Sequence, residues 1–175
     1  ALTVSWSPDG KWLATGDFES KARITDVATG TEVIVGRHGG AVFCVAWSPD
    51  GTLLASASAG DGTVKVGDAR TGAEVQSFRG HAGAWSVSWR PDGTQIASGG
   101  TDGTVKVWDI SRGDPRLTIK TQPEDQVMSL AWHPDARQLA SSGSEGSVRI
   151  WDTASARDPI LLNGHTSWVW QVAWN

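Results

Sequence analysis

Five of the eleven tryptophans recur at a nearly constant interval. Trp6, Trp47, Trp89, Trp132 and Trp174 stand 41, 42, 43 and 42 residues apart. A period this regular points to one supersecondary unit used repeatedly, each unit burying its apolar face on its neighbours because it cannot bury it alone. The flanking text repeats as well. Trp6 and Trp47 precede Ser-Pro-Asp-Gly, Trp89 precedes Arg-Pro-Asp-Gly, and Trp132 precedes His-Pro-Asp-Ala. Proline presets φ for a tight turn and glycine supplies a positive φ. Ala136 breaks that rule, so the fourth turn is expected to be slightly strained or of another type.

Short apolar runs follow each turn: Trp12-Leu13-Ala14-Thr15, Leu53-Leu54-Ala55-Ser56, Gln95-Ile96-Ala97-Ser98 and Gln138-Leu139-Ala140-Ser141. A second turn comes next, clearest at Thr101-Asp102-Gly103-Thr104. It leads into Val64-Lys65-Val66, Val105-Lys106-Val107 or Val148-Arg149-Ile150, which alternate at period two as half-buried strands do. Strands this short and evenly punctuated predict an all-β chain, and a period near 42 suits four-stranded propeller blades. The expected blades span residues 1–41, 42–83, 84–126 and 127–168, with a partial first strand of a fifth at 169–175. All belong to a single region covering residues 1–175. In each first strand large residues occupy one parity, as in Phe43, Val45 and Trp47, and small ones the other, as in Cys44 and Ala46. Successive side chains point to opposite faces, so the bulky face of one blade is expected to nest on the small face of the next.

Composition removes several classes of function. A net charge of −4, with fifteen scattered Lys and Arg, offers no basic stripe for nucleic acid. No apolar run is long enough for a spanning helix, and a cytoplasmic location is expected. One cysteine, Cys44, excludes an internal disulfide framework and a multi-cysteine zinc site. Its place on the small-residue face predicts a buried, inert thiol. His81, Ser98 and Asp102 are hydrolase ingredients, but the serine falls in a buried strand without an oxyanion site. His38, His81 and His165 hold equivalent places in successive units, which spreads them apart rather than converging them on a metal. No catalytic residue, metal ligand or cofactor is therefore expected.

The segments Val-Lys-Val-Trp108-Asp109 and Val-Arg-Ile-Trp151-Asp152, with Gly80-His81 and Gly164-His165, resemble the WD-repeat (WD40) family over essentially the whole chain. The resemblance implies four four-stranded antiparallel blades plus a partial fifth, half of a seven- or eight-bladed ring. It also implies a buried polar tetrad in each blade, complete once as His81, Ser98, Asp102 and Trp108. His38, Ser56 and Asp61 form a partial set in which Gly67 replaces the tryptophan, and Ser141 and Trp151 form another. It further implies a partner-binding rim, carried over to Phe18, Phe43, Trp85, Thr101, Met128, Ser144, Trp168 and Trp170. The function expected on these grounds is a non-enzymatic scaffold for a protein or peptide. Alternatives are a ligand-sensing region of a larger bacterial signalling ATPase or kinase, and a half-propeller that homodimerises into an eight-bladed ring.

Overall fold

A computed structural model of the chain describes residues 1–121, 125–154 and 158–175. Among them sixteen strands form four antiparallel sheets, each built from four strands taken in sequence order. Blade one holds β1 (Thr3–Trp6), β2 (Trp12–Gly16), β3 (Lys21–Asp26) and β4 (Glu32–Arg37). Blade two holds β5 (Val42–Trp47), β6 (Leu53–Ser58), β7 (Thr63–Asp68) and β8 (Glu74–Arg79). Blade three holds β9 (Ala84–Trp89), β10 (Gln95–Gly100), β11 (Thr104–Asp109) and β12 (Pro115–Lys120). Blade four holds β13 (Val127–Trp132), β14 (Gln138–Gly143), β15 (Val148–Asp152) and β16 (Ile160–Leu162).

The Pro-Asp-Gly text makes the turn between the first two strands of the first three blades. Gly10, Gly51 and Gly93 sit at φ 69°, 72° and 72°. Their amides donate to Ser7, Ser48 and Arg90 carbonyls at 2.9 Å. Ala136 makes the same bond to His133 at 2.9 Å and takes φ 62°. The fourth turn thus keeps the geometry of the others, and its alanine carries the cost of a left-handed backbone.

Blades meet through their first strands, and the core divides among the seams. Val42, Val45, Trp47 and Leu54 of blade two pack with Ala14, Ala22, Ile24 and Val35 of blade one. Two polar devices lock these seams. The first is the recurrent indole: Trp47 Nε1 donates to the Ser5 carbonyl at 3.1 Å, Trp89 Nε1 to Ala46 at 2.9 Å and Trp174 Nε1 to Ala131 at 3.0 Å. Trp132 departs from this pattern. Its Nε1 is buried without an acceptor among the described residues, and the Arg90 guanidinium lies 5.7 Å from its ring centroid. The second device uses the small face. Ser86 Oγ accepts the Leu130 amide at 3.0 Å, and Ser129 Oγ accepts the Val172 amide at 3.3 Å. The terminal segment 166–175 therefore runs against β13 as a first strand runs against its predecessor.

One residue in three first strands escapes the alternation. Pairing jumps from Val42↔Ser58 to Cys44↔Ala57, from Ala84↔Gly100 to Ser86↔Gly99, and from Val127↔Gly143 to Ser129↔Ser142. Phe43, Trp85 and Met128 are the extra residues of these β-bulges. The fully buried Val42, Ala84 and Val127 take the inner places that simple alternation assigns to them. A bulge leaves its extra residue unpaired and re-aims the side chain.

Candidate functional site

The bulges and the neighbouring turns deliver aromatic rings to one edge of the blades. Phe18, in the turn before β3, is 74% exposed and meets Phe43 edge-on at 6.4 Å between centroids. Phe43 stacks on Trp85 at 4.8 Å. Trp85 lies 6.3 Å from Trp170, which lies 5.1 Å from Trp168. The five rings form one continuous run across three blades and the terminal segment. Trp168 and Trp170 remain 46% and 61% exposed. Met128 does not join them: it is buried, and Trp85 meets Trp170 directly. The Trp85 indole N–H is enclosed and meets no acceptor among the described residues.

The turn residues expected on the same rim are held by the backbone beneath it. Thr101 donates its amide to the Gly83 carbonyl at 2.9 Å. Ser144 Oγ accepts the Gln126 amide at 3.0 Å. In blade two Gly60 faces Gly40 so closely that an added Cβ would fall 2.6 Å from the Gly40 Cα, so both positions require glycine.

Below the rim lie the polar centres. In blade three, Trp108 Nε1 donates to Ser98 Oγ at 2.7 Å, and His81 Nε2 lies 2.7 Å from that oxygen. His81 Nδ1 lies 3.1 Å from Asp102 Oδ1. A carboxylate only accepts, so Nδ1 carries the proton, Nε2 accepts from the Ser98 hydroxyl, and the donors run in one direction. Burial pushes the His81 imidazole below its ordinary value despite the Asp102 charge, which keeps it neutral. Ser98 is fully buried with its oxygen occupied on two sides, which leaves no path for a substrate carbonyl. Thr104 completes the centre by donating to Asp102 at 2.8 Å.

In blade two, His38 Nε2 meets Ser56 Oγ at 2.8 Å, and Nδ1 meets Thr63 Oγ1 at 2.9 Å. Thr63 hands its own proton to Asp61 at 2.7 Å, so it relays what Asp102 receives directly in blade three. Burial would raise the Asp61 pKa, but the Gly39 amide, the Thr63 hydroxyl and amide, and the His38 ring bring it down to about 2. Gly67 leaves no room for the missing indole: a Cβ there would fall 2.5 Å from Val35 Cγ1. Blade four keeps Trp151 Nε1 donating to Ser141 Oγ at 2.8 Å. With no histidine above Ser141, a buried ion pair of Arg149 and Asp125 fills the centre, and Asp125 also accepts the Glu145 amide at 3.1 Å. Thr63, Thr104, Asp125 and Arg149 were absent from the expected set. The strand register reveals the relation: Arg149 pairs across from Ser141 as Lys65 does from Ser56 and Lys106 from Ser98.

His165 is exposed. The Cys44 thiol donates to the Val87 carbonyl at 3.5 Å, and burial pushes its pKa up.

The family model described as WD domain, G-beta repeat, matches residues 2–26, 31–68, 72–109 and 113–152. Each of the last three matches begins just before the outermost strand of one blade and ends on the third strand of the next. The chain is 38% identical over 61 residues to the ribosome biogenesis protein BOP1 of Rattus norvegicus, covering 35% of this chain and 8% of that protein. It is 40% identical over 67 residues to WD repeat-containing protein 1 of Mus musculus, covering 36% of this chain and 11% of that protein. The chain thus spans about a tenth of the length of these relatives.

Proposed function

Because this chain belongs to the WD-repeat family, whose members serve generally as interaction scaffolds, we propose that it holds a protein or peptide partner on its aromatic rim without chemistry of its own. The observation that carries this reading is the unbroken contact of Phe18, Phe43, Trp85, Trp170 and Trp168. Exposed aromatic rings in contiguous patches are what protein interfaces bury, and tryptophan is enriched among the residues that dominate binding energy. Rings already stacked on one another lose little side-chain entropy when a partner lands on them. The test is a selection of peptides that bind the chain, followed by their titration against the Trp85→Ser/Trp170→Ser variant with its circular dichroism checked. At least a tenfold loss of affinity in a folded variant is expected. Undiminished binding would overturn the reading.

A second reading, self-association, has its own observation. Val4 and Trp6 on β1 are 62% and 57% exposed, whereas Trp47, Trp89 and Trp132 are 9%, 7% and 7% exposed at the matching seams. The β1 face therefore has the shape of a seam surface in want of a small-residue face, which a second copy would supply.

A further inference from the structure

The repeats differ from one another at three positions that the fold brings together. The second-strand residue preceding Leu13, Leu54, Ile96 and Leu139 is Trp12, Leu53, Gln95 and Gln138 in turn. After the third strand, the two residues following Asp26, Asp68, Asp109 and Asp152 are Val27-Ala28, Ala69-Arg70, Ile110-Ser111 and Thr153-Ala154. At the seam of blades one and two, Trp12, Ala69 and Arg70 line one cavity of about 360 Å³ together with Trp47, Gly51, Thr52 and Asp68. At the next seam the matching residues are Leu53 and Ile110, and both pack onto the core there. Alanine in place of isoleucine removes that filling, and Trp12 replaces an aliphatic side chain with a flat wall. The space that remains lies among two indoles and a methyl group.

Its lining carries two charges, Arg70 and Asp68. Arg70 makes no salt bridge among the described residues. The neighbouring Asp68 carboxylate is already engaged by the Arg70 and Thr71 amides at 3.1 and 2.8 Å and by the Thr71 hydroxyl at 2.8 Å. The loop itself is pinned, because the Ala69 amide donates to the Thr52 carbonyl at 2.9 Å. A guanidinium presents paired donors that match a carboxylate. The volume falls within the roughly 300–1,000 Å³ usual for small-ligand sites, which combine apolar walls with a few placed polar groups.

We propose that this seam pocket binds a carboxylate carried on a flat or branched apolar group. The apolar part lies against Trp12 and Trp47, and the carboxylate pairs with Arg70. A free aromatic acid and the C-terminus of a peptide ending in an apolar residue share this chemistry. The site is separate from the aromatic rim and does not depend on it.

Calorimetric titration tests the assignment with indole-3-acetate, its amide, and Ala-Ala-Leu with a free or amidated end. Both acids, or one of them, should bind at least about tenfold more tightly than the matching amide. The better acid identifies the source. Arg70→Ala should bring the acid down to the level of its amide. Ala69→Ile installs the side chain that the next seam already accommodates as Ile110, and should abolish binding with the melting temperature unchanged. Acid and amide binding alike, no probe binding the unaltered chain at about 10 mM, or undiminished binding by Arg70→Ala would each overturn the proposal.

Discussion

His81 is the residue on which blade three converges. It takes the Ser98 hydroxyl on one nitrogen and gives the other to Asp102, while Ser98 takes the Trp108 indole. Removing the imidazole orphans a buried hydroxyl and a carboxylate together. His81→Ala is expected to cost about 2–4 kcal/mol in urea denaturation. The exposed His165, though it follows the same Gly-His text, should cost no more than about 0.5 kcal/mol as His165→Ala. Equal losses would contradict the network. Burial also sets a pH dependence, since His38 and His81 both have pKa values lowered in the fold from the ordinary 6.5. The unfolded chain then takes up protons first as pH falls. The contribution is fully present above pH 6.5 and is lost as pH drops through the lower folded values. The denaturation midpoint should be flat between about pH 8 and 7 and decline toward pH 5. The His38→Gln/His81→Gln pair of substitutions should flatten that decline, and an unchanged slope would refute the assignment. At the fourth turn, Ala136 holds a φ of 62° that glycine adopts freely. Ala136→Gly should therefore stabilise the chain by about 0.5–1 kcal/mol, read by the same denaturation.

At the scale of the element, each blade solves one problem with different chemistry: what to bury beside the second-strand hydroxyl. Blade three uses the complete tetrad, blade two inserts Thr63 between His38 and Asp61, and blade four uses Asp125 with Arg149. The four-strand order and the turns were legible in the Trp period and the Pro-Asp-Gly text, whereas the tetrad of blade three was expected only from the resemblance to the WD-repeat family. The blade-four pair was not, because Arg149 occupies a position whose counterparts Lys65 and Lys106 are only half buried. Its inward turn follows from the missing histidine, which is a tertiary effect. The bulges were also hidden. All five first strands have the same length of text, and nothing in period-two alternation marks which residue the partner strand skips. That skipped residue decides whether Phe43 and Trp85 face the core or the rim. Arg149→Met leaves Asp125 charged and enclosed, so it should cost about 3–5 kcal/mol. Adding Asp125→Asn removes the stranded charge but keeps the oxygen that accepts the Glu145 amide. The double variant should recover at least about 1 kcal/mol, and equal stability of single and double variants would show that charge is not the issue.

The whole molecule is a row of seams rather than one core, and its stability should distribute accordingly. In a stacked array each unit contributes its own stability plus the coupling to its neighbours. A given seam residue therefore matters only where the facing blade is present. Trp89 is 7% exposed, packs in the seam of blades two and three, and donates to Ala46. Trp6 ends the equivalent strand but is 57% exposed. Trp89→Ala should cost about 3–5 kcal/mol, from lost burial and the cavity left behind, whereas Trp6→Ala should cost less than about 1 kcal/mol. The comparison also decides whether the β1 face docks on a second copy. Coupling to a partner subunit enters stability by mass action. If copies associate through Val4 and Trp6, the loss from Trp6→Ala should grow as protein concentration rises, and light scattering should show a mass above one chain that the substitution abolishes. A small, concentration-independent loss at Trp6 with a single-chain mass throughout would leave that face uncovered by its own kind.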